Sequence, residues 1–243
     1  MKIAGSKVLL TGANGGIGMA FVDELLRRGV DKLYVGVRKL EGNSFPDDGR
    51  IVPVLLDVSD PASIDAASKQ VADVNILINN AGFMAFSGAL SASDPDAARK
   101  EMEVNYFGPL QLTRALKDSN IFSSSGAIVN VLSYLALLTL PMAGSYCASK
   151  AASLALTRTL RAELKERGTR VIAVLPVQVD TRMGAGLPDP KVKPSEVAIE
   201  ALDAIESGQD EVFPGEPSKG VDAAFKADPA AVQAQLVGWV TPY

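Results

Sequence analysis

The chain has 243 residues, 47% hydrophobic and 21% charged, with a formal net charge of −4. That length can bury the core of one α/β domain, and no basic excess argues for nucleic acid. There is no histidine and only one cysteine, Cys147, which excludes a Ser-His-Asp triad, a Cys-His dyad, a histidine-ligated metal and an internal disulfide.

In chain order, Val8 to Leu10 is an apolar run that reads as a buried strand. It breaks into Thr11-Gly12-Ala13-Asn14-Gly15-Gly16-Ile17-Gly18, after which apolar Ile17, Phe21, Leu25 and Leu26 recur at helical spacing. A strand, a glycine turn and a helix leave unpaired N–H groups and a partial positive charge at the helix start, where a phosphate can sit. Tight packing alone also explains such a turn. Leu33–Val37 reads as the second strand, followed by Arg38 and Lys39. Ile51–Leu56 is the third, ending at Asp57-Val58. Ser59 or Asp60 caps a helix with Pro61 in its first turn. Asn75–Ile78 is the fourth strand, closed by Asn79-Asn80-Ala81-Gly82. A long helix is expected from Asp96 to about Lys117, kinked at Gly108-Pro109.

Ala127–Val131 is the fifth strand, Ser145 to about Glu166 a second long helix, and Val171–Leu175 the sixth strand. A loop at about 182–194 is expected on the surface over the substrate. Ser195–Ser207 is a further helix, and Asp210–Phe213 a last short strand. Continuous apolar strands alternating with helices indicate a doubly wound parallel sheet, covered on both faces, in a single domain spanning 1–243. In such a sheet the ligand crevice lies at the carboxyl ends of the strands. Asn14, Arg38, Asp57, Asn80, Ser133 and Thr181 are therefore expected to converge. No signal peptide or membrane span is evident, since the longest apolar tract, from Val131 to Ala143, is short and contains Ser133, Thr139 and Pro141. A cytoplasmic location is expected, with no nucleic-acid or membrane partner.

Tyr146 and Lys150 lie one turn apart, so they share a helix face. A solvated face is the bland reading. The chemical reading is an acid/base pair, in which the ammonium lowers the phenol pKa. At this point the chain resembles the short-chain dehydrogenase/reductase family in its single-domain form. Thr11 to Gly18 is similar to its T-G-x-x-x-G-x-G turn, Asn79-Asn80-Ala81-Gly82 to its N-N-A-G motif, and Tyr146-Cys147-Ala148-Ser149-Lys150 to its Y-x-x-x-K motif. Ser133 and Asn105 stand where that family has its catalytic serine and asparagine.

The resemblance implies a Rossmann fold and an oxidoreductase that moves a hydride between a nicotinamide cofactor and a small carbonyl or alcohol. Tyr146 would exchange the proton, Lys150 would tune it and hold the ribose, Ser133 would bind the substrate oxygen, and Asn105 would position a water. Cofactor contacts would come from Gly12, Asn14, Gly15, Gly16, Ile17 and Gly18, from Arg38, Asp57 and Val58, from Asn80, Ala81 and Gly82, and from Pro176, Val179 and Thr181, besides Tyr146 and Lys150. One departure is Val177, where the family often has glycine, which is expected to add bulk to the pocket.

An NAD site places a carboxylate at the end of the second strand. Here Val37 stands there and Arg38 follows, a guanidinium suited to a 2′-phosphate, so NADP(H) is favoured over NAD(H). Phe83, Met84, Phe86, Tyr134, Leu135, Leu137, Leu138, Met142, Val177 and Met183 suggest an apolar substrate pocket. The two long helices, with Ala151, Ala152, Leu154 and Leu156, suggest a homodimer or homotetramer. Cys147 reads as a packing residue. A dinucleotide-binding regulator with weak catalysis, and an epimerase or dehydratase of the extended subfamily, are the competing readings.

Overall fold

Every strand residue between Val8 and Leu10, and between Ile76 and Ile78, is fully buried. Alternate side chains feed opposite faces. Val8, Leu10, Val35, Ile76, Val129 and Ile172 pack on one side, and Leu9, Tyr34, Leu77, Ile128 and Val171 on the other. Both faces are therefore covered by helices. A computed structural model describes residues 1–238. It contains β1 (Lys7–Thr11), α1 (Gly16–Arg27), β2 (Lys32–Val37), β3 (Ile51–Leu55), α2 (Pro61–Gln70), β4 (Ile76–Asn79), α3 (Ala97–Met102) and α4 (Gly108–Ala115). Then follow β5 (Ala127–Val131), α5 (Gly144–Glu163), β6 (Arg170–Val174), α6 (Pro194–Ser207), β7 (Glu211–Val212), α7 (Gly215–Ala227) and α8 (Pro229–Leu236).

The strands form one parallel sheet in the order β3-β2-β1-β4-β5-β6-β7. The order reverses between β1 and β4, and the crevice outside their carboxyl ends is the natural ligand position. The expected strands and helices up to β7 are all present. Asp60, not Ser59, caps α2, its side chain accepting from Ala62 N. None of the described helices is long and apolar enough to cross a membrane.

Four details depart from the sequence expectation. The long helix is not simply kinked at Pro109: a five-residue π turn, Glu103–Phe107, separates α3 from α4, and Pro109 sits in the first turn of α4, where its missing N–H costs nothing. The stretch before α6 is not all surface, because Val192 is fully buried and bridges Val179. Val177 packs against the apolar residues between the sheet and α7 and donates its N–H to Ser218 Oγ at 3.1 Å. Its bulk is thus used in packing. Finally, two helices not expected from the sequence, α7 and α8, follow the last strand.

Candidate active site

Three segments meet at the switch point. Gly12 has φ +62°, and a Cβ there would lie 2.9 Å from Ala81 Cα. Only glycine combines that conformation with that approach. Thr11 Oγ1 accepts from the N–H groups of Asn80 and Ala81, both at 3.0 Å. Asn80 Nδ2 donates back to the carbonyls of Thr11 (3.0 Å) and Gly12 (3.1 Å). A Cβ on Gly16 would fall 2.7 Å from Thr181 Cγ2, which brings the segment beyond β6 onto the same turn. No side chain caps α1 at Gly15, and its first turn holds no acid. Its leading N–H groups face the crevice without a carboxylate competitor. Ile17 is half-buried and packs on the core.

The end of β2 lies alongside. Val37 is buried, whereas Arg38 and Lys39 are exposed, and their side chains make no hydrogen bond or ion pair with the described residues. Asn14 Nδ2 donates to Asn43 Oδ1 at 2.9 Å, and Asn43 Nδ2 donates to the carbonyls of Lys39 (2.6 Å) and Leu40 (3.1 Å). The loop after β2 is thereby tied to the glycine turn. Asp57 is engaged locally, its Oδ1 accepting from Ser59 N (2.9 Å) and Ser59 Oγ (2.6 Å). Val58 is buried where Gly108 comes close: a Cβ on Gly108 would lie 2.8 Å from Val58 O. Pro176 O accepts from Tyr134 N at 2.8 Å.

Tyr146 and Lys150, both buried, project from the first turns of α5. Lys150 Nζ donates to Val131 O at 3.1 Å and stands 5.6 Å from the centre of the Tyr146 ring. Burial draws the Lys150 pKa down from 10.5 to about 8. The expected lowering of Tyr146 does not appear. Burial raises its pKa well above the usual phenol value, and the hydrogen bond to Ser133 opposes that rise only in part. The ammonium is aimed at the Val131 carbonyl and meets the ring face, so desolvation prevails. Ser133 also accepts from Leu135 N at 3.2 Å, which fixes its rotamer.

Asn105 lies in the π turn. Its Nδ2 donates to Phe83 O (2.8 Å) and Ser149 Oγ (2.9 Å), and its Oδ1 accepts from Phe83 N (2.9 Å). Both amide hydrogens are therefore committed to protein, and one lone pair is left for a water. A cavity of about 10 Å³, room for roughly one water, is lined by Asn79, Asn105, Asn130 and Lys150 among others. A Cβ on Gly82 would lie 3.6 Å from Asn105 Oδ1 and 3.7 Å from Lys150 Nζ.

Several residues here were given no site role in the sequence. Asn79 donates to Asn130 (2.8 Å), Asn130 to Thr157 (2.8 Å), Thr157 to the Ser153 carbonyl (2.7 Å), and Ser153 to the Asn105 carbonyl (2.5 Å). Ser149, Ser153 and Thr157 recur every fourth residue on the buried face of α5, a spacing visible in the sequence. Glu101, one turn before Asn105, is 1% exposed. Its Oε1 accepts from Ala85 N at 2.8 Å, and its Oε2 has no partner among the described residues. Of the expected pocket residues, Tyr134 is instead buried beneath Phe213 and Phe225. Phe83 and Met183 are exposed.

Residues 6–191 match the family model described as short chain dehydrogenase. The chain belongs to the short-chain dehydrogenase/reductase family. Dehydrogenase/reductase SDR family member 7B of Mus musculus is 34% identical over 189 residues, 72% of this chain and 58% of that protein. The chain thus spans a little under two thirds of the relative's length. A short chain dehydrogenase from Burkholderia cenocepacia J2315, solved in complex with NADP, is 42% identical, covers 100% of both chains and superposes with a TM-score of 0.91. An alcohol dehydrogenase from Thermococcus sibiricus, complexed with 5-hydroxy-NADP, is 26% identical, covers 83% of this chain and 90% of its own, and has a TM-score of 0.70. The segments Thr11–Gly18, Asn79–Gly82 and Tyr146–Lys150 lie at the carboxyl ends of β1 and β4 and on α5.

Proposed function

We propose that this short-chain dehydrogenase/reductase reduces a neutral ketone or aldehyde to an alcohol with NADPH, and catalyses the reverse. The observation that carries the reading is the buried Ser133–Tyr146–Lys150 cluster beside the uncapped glycine turn at the switch point. The turn fits a dinucleotide pyrophosphate: its glycines put no side chain over the start of α1, and the α1 amides have no competing cap. When bound, the nicotinamide supplies or accepts the hydride.

This chain's residues do the rest. A phenol whose pKa burial has raised holds its proton at neutral pH. Tyr146 is therefore a donor toward a carbonyl oxygen, the role reduction requires. The Ser133 hydroxyl donates to the same oxygen as negative charge develops on it. Lys150 supplies positive charge and holds the nicotinamide ribose, and the small cavity beside it joins it to Asn105 through a water. Thr181 holds the carboxamide, and Asp57 and Val58 border the adenine. Arg38 has no partner among the described residues and is free to take the 2′-phosphate through paired hydrogen bonds. The NADP-bound Burkholderia and Thermococcus neighbours support that preference. We further place the protein in the cytoplasm as a homodimer or homotetramer paired through α4 and α5, where Phe107 of the π turn before α4 and Ala151 and Ala155 of α5 are exposed. Leu154 belongs to the chain's own core and is no part of that face.

The test is NADPH consumption, followed by absorbance, with a panel of ketones, aldehydes, quinones and keto acids. The reading requires turnover with neutral carbonyls, higher kcat/KM for them than for keto acids, and a lower KM for NADPH than for NADH. Absence of turnover across the panel overturns it.

A further inference from the structure

The segment between Ser133 and Tyr146 makes two 3-10 turns, Tyr134–Ala136 and Pro141–Ala143, and α7 and α8 lie against it. Tyr134 anchors that contact from below. Its ring is 5.7 Å from Phe213 and 5.9 Å from Phe225, and its hydroxyl faces Asp222 at 3.5 Å. Asp222 is in turn paired with Lys226 at 2.7 Å. The decisive contact is polar. Gln233 on α8 pairs with the backbone of Thr139 in both directions: Thr139 N donates to Gln233 Oε1 at 2.9 Å, and Gln233 Nε2 donates to Thr139 O at 2.8 Å. A two-point bond of this kind fixes both the height and the rotation of a short helix on its support.

The residue it aims is Leu236. Residues three apart share a helix face, so Leu236 follows Gln233 onto the same surface. There it packs, with Met84, Leu135 and Met142, against the apolar cluster of Leu140, Ala143, Tyr146 and Cys147. Leu236 is the one member of this group drawn from the C-terminal pair of helices. The cluster surrounds the proton donor with carbon.

We propose that Leu236 is a specificity-determining residue: it is the wall that the C-terminal helices add to the apolar cluster around Tyr146, and it receives the apolar substituent of the carbonyl substrate. Gln233 is the positioning residue that holds it there. The proposal rests on the carbonyl-reductase reading above, and it names the substrate class more closely, as ketones carrying an uncharged aliphatic or aromatic arm.

The test uses the full chain with NADPH and a series of methyl ketones from 2-butanone to 2-decanone, in the wild type and in Leu236→Trp, Leu236→Ala and Gln233→Leu. Circular dichroism and thermal unfolding first establish that each variant is folded. Leu236→Trp is expected to lower the kcat/KM ratio of 2-octanone to 2-butanone at least tenfold, through KM more than kcat. Leu236→Ala should move the optimum toward longer chains, and Gln233→Leu should flatten the chain-length profile. NADPH affinity should stay within threefold throughout. Variants that keep the wild-type ratios, or that lose all ketones equally, overturn the proposal. Calorimetric titration of 2-octanone into the NADP-saturated protein separates it from the reaction itself. Binding that Leu236→Trp abolishes, without turnover in the wild type, keeps the wall and refutes the reductase reading. No binding in any form refutes the wall.

Discussion

Replacing Gly12 by alanine tests the turn on which the site is built. Two costs add there. At φ +62° an alanine adopts the left-handed region, which costs about 1–2 kcal/mol. Its Cβ would also lie 2.9 Å from Ala81 Cα and 3.2 Å from Ala81 N, backbone atoms that the Thr11 and Asn80 hydrogen bonds hold in place. Overpacking of that kind costs about 1–3 kcal/mol. The sum is about 2–5 kcal/mol, a large share of the stability of an ordinary domain. Gly29 supplies the control. Its φ is +75°, but nothing lies within 4 Å of a Cβ there, so Gly29→Ala meets only the dihedral cost. Urea unfolding of both variants should show the larger fall in midpoint for Gly12→Ala, with similar slopes. Equilibrium titration with NADPH should show at least tenfold weaker binding for Gly12→Ala and no change for Gly29→Ala. Equal losses of stability in the two variants, or normal NADPH affinity in Gly12→Ala, would refute the reasoning.

Three more outcomes are expected. With NADPH, kcat/KM for the ketone should fall as pH rises through about 8, where buried Lys150 loses its proton. Lys150→Arg should move that limb to higher pH, since a guanidinium stays charged. Because the unfolded lysine binds its proton more tightly than the folded one, the Lys150 contribution to stability should rise with pH between about 8 and 10.5, as pH-dependent unfolding can read. Glu24 has its pKa lowered from 4.5 to about 2, chiefly by the hydrogen bond from Arg27. Its stabilising share is thus present above 4.5 and lost as pH falls through about 2, so Glu24→Gln should destabilise the protein at neutral pH and have little effect at the acid end, as urea unfolding at the two pH values can read. Arg38→Ala should raise the KM for NADPH far more than that for NADH and reduce the salt dependence of NADPH binding. Equal losses with the two cofactors would count against a phosphate contact.

The sheet was legible because its strands are buried on both faces and so appear as unbroken apolar runs. The glycine turn, the N-N-A-G segment and the Tyr146–Lys150 spacing were legible because each is local, a few residues whose order fixes their geometry. What the sequence concealed is of another kind. The α7 and α8 helices bury few side chains: α7 presents only Val221 and Phe225 to the core as large apolar residues, and α8 buries only Val232. The Asp228-Pro229 pair was the available signal: the Asp228 side chain caps α8 by accepting from Ala231 N at 3.0 Å, with proline in the first turn. The π turn at Asn105 depends on packing between helices and has no local signature. The Asn43 tie to Asn14 and the Gln233 tie to Thr139 join residues far apart in the chain, and only the fold brings them together. The pKa of Tyr146 was read from its neighbour Lys150, but burial, a property of the whole fold, sets its direction.

The most direct test of the account is single-turnover reduction of a neutral ketone by NADPH in the wild type and in Tyr146→Phe, which keeps the ring and removes the proton donor. Hydride transfer should be at least about a hundredfold slower in Tyr146→Phe, with NADPH affinity within threefold of the wild type. A variant that reduces the ketone at the wild-type rate would contradict the assignment of Tyr146 as the acid, and with it the proposed reaction.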